Sequence, residues 1–166
     1  MEKRWICLLV ENEIGVLARI SGLLSSKLYN IDSFTAGPTE DPAIYRFTIS
    51  LTSDDKTYEQ IKKQLNRCVE VIKVMDYTTL PVHMNEILYA KVHSCTEKDK
   101  TEIFRISEVF NIDIIDYNSK TVLMQCTQTE KKNDELSELL KQTFINRVEI
   151  VRGGIVAIES ISISNK

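Results

Sequence analysis

The chain has 166 residues, 43% hydrophobic and 27% charged, a balance that excludes disordered and fibrous classes and leaves room for one medium domain or two small ones. A formal net charge of -3 and a pI of about 5.5 provide no basic footprint for nucleic-acid phosphates. No apolar run approaches the roughly 20 residues that span a bilayer. Met1-Glu2-Lys3-Arg4-Trp5 leads directly into a strand-like segment, so neither a nucleic-acid nor a membrane partner is expected, and the location is read as cytoplasmic.

Trp5 to Val10 is an apolar run ending in the polar loop Glu11-Asn12-Glu13, which predicts a buried strand feeding a turn. From Val16 onward, Leu17, Ile20, Leu23, Leu24 and Leu28 recur at spacings of three and four and predict a helix with that stripe in the core. Ile31 to Gly37 reads as a second strand, followed by the turn cluster Gly37 to Pro42. Tyr45, Phe47, Ile49 and Leu51 then alternate with Arg46, Thr48 and Ser50, the pattern of a half-buried strand that completes a hairpin. Ser53-Asp54-Asp55 offers capping side chains to a helix carrying Tyr58, Ile61, Leu65 and Cys68, and Val69 to Val74 supplies a fourth strand. The order is βαββαβ, the ferredoxin-like motif.

That order returns after a break near Tyr77-Thr78-Thr79-Leu80-Pro81. A strand at Glu86 to Val92 leads to a helix through Ile103, Ile106, Val109 and Phe110, then strands at Ile112 to Asp116 and Thr121 to Cys126. A helix through Leu136, Leu139, Leu140 and Phe144 and a strand at Val148 to Val151 complete the unit. Arg19-Ile20-Ser21 with Asn30-Ile31-Asp32 is echoed by Arg105-Ile106-Ser107 with Asn111-Ile112-Asp113, as a duplicated unit requires. An α+β protein of two tandem ferredoxin-like βαββαβ modules is predicted, at 1–78 and 84–166. Arg152-Gly153-Gly154 permits a tight turn, and Ile155, Val156, Ile158, Ile161 and Ile163 form a last β-prone stretch that extends the second sheet or packs on a partner.

Phosphate cradles of the G-x-G-x-x-G and G-x-x-x-x-G-K-[ST] types are missing from the sequence, as is the G-x-S-x-G elbow of hydrolases. Cys7, Cys68, Cys95 and Cys126 lie in or beside apolar segments and read as buried thiols. His83 and His93 stand in no ligand-spaced or catalytic motif, so no metal site and no catalytic residue is expected. The informative segment is Val10 to Leu24, a strand-to-helix loop with Asn12 and Gly15 just before the first helical turn. Backbone N–H groups and the positive end of the helix dipole converge there and can receive a carboxylate. Asn12 offers both a donor and an acceptor to an α-amino acid, and Gly15 leaves room for a ligand backbone. The competing reading is local: Asn12 caps the helix and Gly15 turns the chain.

Asn12 to Leu23, Tyr29-Asn30-Ile31-Asp32-Ser33-Phe34-Thr35 and Pro38-Thr39-Glu40-Asp41-Pro42 closely resemble the regulatory (small) subunit of acetolactate synthase, also called acetohydroxyacid synthase. The similarity continues through Phe104-Arg105, Ile112 to Asp116 and Arg152 to Ala157. Three features depart from it: Leu28 stands where glycine is common, Asn85-Glu86 where Arg-Glu often opens the second domain, and the tail after Ala157 lacks the usual Arg-Gly. The resemblance implies an N-terminal ACT domain, a second ACT-like domain and a homodimer joined through the ACT domains. It further implies an effector, valine or another branched-chain amino acid, held by Asn12, Gly15, Val16 and Leu17 of one copy with Asn30 and Ile31 of the other.

On that resemblance the chain is a non-catalytic regulatory subunit of branched-chain amino acid biosynthesis. It is expected to activate the acetolactate synthase large subunit and to confer feedback inhibition. No cofactor is expected on this chain; thiamine diphosphate, FAD and Mg are expected on the large subunit. The alternative is a stand-alone ACT-domain amino-acid sensor regulating another pathway or transcription, and a third reading is a small enzyme on the same scaffold.

Overall fold

The computed structural model describes residues 1–26 and 29–161. Leu28 and Ile163, both used in the sequence reading, lie outside the described residues. The chain divides into two compact units, Met1–Met84 with the segment from Ile155, and Asn85–Gly154. The elements run β1 (Glu2–Glu11), α1 (Val16–Ser26), β2 (Ile31–Pro38), β3 (Ile44–Ser53), α2 (Asp55–Leu65) and β4 (Val71–Asp76), then β5 (Val82–Val92), α3 (Glu97–Phe110), β6 (Asp113–Tyr117), β7 (Val122–Gln128), α4 (Glu130–Thr143) and β8 (Val148–Glu159). Strand order is β2-β3-β1-β4 in one sheet and β6-β7-β5-β8 in the other, the same topology twice. This is the α+β pair of ferredoxin-like modules that the repeat predicts.

In the first unit α1 buries Val16, Ile20 and Leu24, four residues apart, against Ile6, Leu8, Val10, Phe47, Ile49 and Leu51 of β1 and β3. Leu17 departs from the predicted stripe. It is 51% exposed, because a 3.6-residue period that turns Val16 and Ile20 inward turns position 17 aside. Val69, predicted to open the fourth strand, lies outside it and is 89% exposed, with β4 starting two residues later. Asp54 caps α2 by accepting the Thr57 N–H at 2.7 Å, and Tyr58 and Lys62 on that helix both bond Asp76 at the end of β4.

β3 is not half-buried as its alternation predicts. Thr48 and Ser50 are as buried as their apolar neighbours. They pair with Cys7 and Trp5 across the ladder and so share a face with them. That face carries a second small core of Cys7, Met75, Tyr77 and Ala157, with Trp5, Leu9, Val82 and Met84 packed around it. Ala157 comes from the end of β8, whose Ile155 O accepts the Thr35 hydroxyl and whose neighbour Ser160 donates its N–H to Pro81 O at 2.9 Å. The stretch assigned to the second module from sequence therefore joins the first from Ile155 onward.

The second unit packs α3 and α4 on one sheet face through Ile103, Ile106, Leu136, Leu140 and Phe144, against Leu88, Ala90, Val92, Val122 and Met124. Thr96 and Asp99 form a reciprocal capping box at the head of α3, and Arg147 bonds both oxygens of Asp99 at 2.9 and 3.1 Å. Arg152-Gly153-Gly154 makes no tight turn; β8 runs through it. Arg152 is held by the buried Glu86 carboxylate, which also accepts from Asn133, and by Asp134. A Cβ on Gly153 would meet Ile87 Cγ2 at 2.6 Å, so only glycine lets β8 lie this close to β5. All four cysteines are free. Burial raises the pKa of the Cys7, Cys95 and Cys126 thiols, whereas Cys68 is half-buried.

Candidate functional site

The segment singled out in the sequence joins β1 to α1. Asn12 leaves β1 with its N–H on Ala43 O at 2.8 Å and its side-chain Nδ2 on Pro42 O at 2.9 Å. Its amide is thus tied to the β2–β3 turn and does not cap α1. That turn is itself shaped by Asp41, which takes the Ala43 N–H at 2.9 Å. Gly15, the last residue before the helix, has φ +92°, a left-handed conformation that side-chain-bearing residues rarely adopt. A Cβ built there meets nothing within 4 Å, so the glycine answers to the backbone and not to crowding.

The head of α1 is open. Arg19 N–H is the first to close the helical ladder, on Gly15 O at 2.9 Å, and Val16 N–H reaches Glu13 O only at 3.4 Å. Leu17 and Ala18 N–H have no helical acceptor behind them, and the first turn carries no acidic residue. These amides sum with the helix dipole into a site of positive potential. Arg19 adds little to it, because its guanidinium is paired with the carboxylate of Glu70.

Beside this helix head is a concavity of about 140 Å³ lined by Glu11, Asn12, Glu13, Val16, Leu17, Ala36, Tyr45 and Phe47. Val16 and Phe47 form a buried apolar floor, while Glu11, Asn12 and Glu13 are exposed at the edge. Of the residues proposed from sequence, Asn12, Val16 and Leu17 meet here, next to Gly15. Asn30 and Ile31 do not. They follow the far end of α1, whose 11 residues span about 16 Å, and Ile31 packs on the first core. Ala36, Tyr45 and Phe47 were missed as lining residues. Pairing of Phe47 with Ala36 and with Leu8, and of Tyr45 with Val10, brings them to the site, a register that only the folded sheet displays.

Chemically the arrangement suits binding: unsatisfied amides for a carboxylate, an amide oxygen and two carboxylates for an ammonium, and an apolar floor for a small aliphatic side chain. Neither His83, on β5, nor His93, just after it, lines the concavity. Among the described residues no cluster of three His, Cys, Asp or Glu side chains is placed to hold a metal, and no helix is long and apolar enough to cross a membrane.

Tandem βαββαβ modules with an open helix head in the first define a regulatory protein of the ACT class, and residues 6–73 match the family described as AHAS small subunit-like ACT domain. Residues 85–161 match the small subunit of acetolactate synthase. The acetolactate synthase small subunit of Buchnera aphidicola subsp. Schizaphis graminum is 37% identical over 156 residues, covering 94% of this chain and 98% of its own. Isozyme 3 small subunit of Escherichia coli K12 is 34% identical, covering 94% of each. The crystal structure of the acetolactate synthase small subunit from Thermotoga maritima superposes with a TM-score of 0.85 at 34% identity, over 96% of this chain and 98% of that one. The chain belongs to the acetolactate synthase small-subunit family.

Proposed function

We propose that this chain is the regulatory subunit that activates an acetolactate synthase large subunit and makes it responsive to valine or a similar branched-chain amino acid. It has no catalytic activity alone in this reading; thiamine diphosphate, FAD and Mg belong to the large subunit, and the pair works in the cytoplasm in branched-chain amino acid biosynthesis. The open head of α1 carries the proposal. An effector carboxylate docks on the amides of Leu17 and Ala18, its ammonium faces Asn12 Oδ1 and the Glu11 and Glu13 carboxylates, and its branched side chain rests on Val16 and Phe47.

Asn30 and Ile31 cannot reach this concavity within one chain, so their part in the site requires a second copy and a dimer through the ACT domains. An effector held between two copies biases their packing in proportion to its preference for one arrangement, and a bound large subunit can respond to that bias.

The test is acetolactate formation from pyruvate by the large subunit with and without this chain, across a valine, leucine and isoleucine series. An increase on adding the chain and a decrease on adding an effector are expected, the latter lost in Asn12→Ala. A rate indifferent to the chain refutes the regulatory assignment; a rate that rises but ignores all three amino acids refutes the effector.

A further inference from the structure

We propose that the second module carries a second, separate small-molecule site that takes a zwitterionic α-amino acid. A cavity of about 510 Å³ lies between the end of α3 and the start of α4, far roomier than the concavity at α1 and within the usual size of small-ligand pockets. It belongs wholly to the second unit and owes nothing to the effector site of the first.

Three observations on its wall point to the ligand. Gln128 donates Nε2 to Phe110 O, which sets the orientation of its amide and leaves Oε1 buried with no donor. A buried carbonyl oxygen without a partner is costly, and a small shift of Gln128, which lines the cavity, would expose it to an ammonium there. Lys132 and Glu135 both line the cavity from α4, one turn apart, yet neither forms an ion pair with the other or with any other described residue. One wall therefore offers an unpaired cation and an unpaired carboxylate together, which complements a molecule carrying both charges better than one carrying either alone. The residue before α4, Thr129, makes no side-chain capping bond, so its side chain leaves the amides of Lys131 and Lys132 to a ligand carboxylate.

The experiment separates the two sites. In the full-length Asn12→Ala protein, which disables the first site, each proteinogenic amino acid is titrated singly at millimolar concentration. Backbone amide shifts of Gln128 to Asn133 are followed by NMR. At least one amino acid is expected to shift these amides saturably. Lys132→Ala and Glu135→Gln, both on exposed side chains, should each weaken it by about tenfold or more with the spectrum elsewhere unchanged. Saturable binding of acetate or methylamine as strong as that of the amino acid would overturn the zwitterion assignment. No saturable shift with any amino acid, or one unaltered in both variants, would overturn the site. Loss of valine binding in Asn12→Ala with retention of this second response leaves both sites standing, and the same loss with no second response removes the second alone.

Discussion

α1 and α3 each follow the first strand of their module and carry the repeated Arg-Ile-Ser triplet, yet their first turns are completed from different sources. At α3, Asp99 accepts the Thr96 N–H at 2.8 Å, Thr96 Oγ1 accepts the Asp99 N–H at 3.2 Å, and Arg147 neutralises the carboxylate. The chain places its own carboxylate at the positive end of that helix. At α1 the position before the helix is Gly15 and the first turn has no acidic residue. An N-cap side chain needs extended backbone, which Thr96 has at φ −87° and Gly15 lacks at +92°. The open head of α1 is thus built into the backbone: a serine or aspartate at position 15 would lack the dihedrals to cap. Under the proposed function, the effector supplies there what Asp99 supplies in the second module.

The self-sufficiency of the second module is broken most severely at its other internal charge pair. Arg152→Ala leaves Glu86, 5% exposed, without its cation and should cost about 3 kcal/mol in a denaturant titration. Asp134→Ala, which removes an exposed partner of the same arginine, should stay within about 0.5 kcal/mol. Equal losses in the two would show that the module does not depend on its buried charge. At the open helix head, Gly15→Asp should lower effector affinity by more than about tenfold, or 1.4 kcal/mol. Gly15→Ala is the control, because the backbone strain of a side chain at φ +92°, about 1–2 kcal/mol, is common to both. Calorimetry with valine giving the same loss in both would assign the effect to strain and not to carboxylate repulsion.

Thr96→Ala should destabilise the second module by about 1 kcal/mol and leave amide exchange in α1 unchanged. The smallest effect is the pH response. Bonding by Arg147 and the Thr96 N–H holds the Asp99 carboxyl well below the usual carboxylate range. A depressed folded pKa stabilises above the unfolded value of about 4, and the contribution is lost as pH falls from there through the folded value. Acid titration of α3 amide protection should show that loss in the wild type and not in Asp99→Asn.

Periodicity carried most of the fold. The four-residue spacing of Val16, Ile20 and Leu24 and the alternation of Phe47, Ile49 and Leu51 are local properties, and hydrophobic burial acts on them wherever the element packs. Capping was legible for the same reason, since Asp54 and Thr57 are neighbours in the chain. Asn12 and Gly15 were visible as a loop, but not that the Asn12 amide bonds Pro42 O, which closes thirty residues of chain.

What the sequence determined by itself, then, is the element order, its duplication and the loop that opens the first helix, all set by interactions among residues a few positions apart. Only the tertiary structure decided that the segment Ile155 to Ser160 packs on the rear of the first sheet, where Thr48 and Ser50 are buried, and that Arg152 reaches Glu86 across 66 positions. It alone also sets Ala36, Tyr45 and Phe47 beside Asn12. Contacts of that range depend on strand register and on which faces meet, and a one-dimensional pattern of apolar and polar residues is compatible with many such pairings.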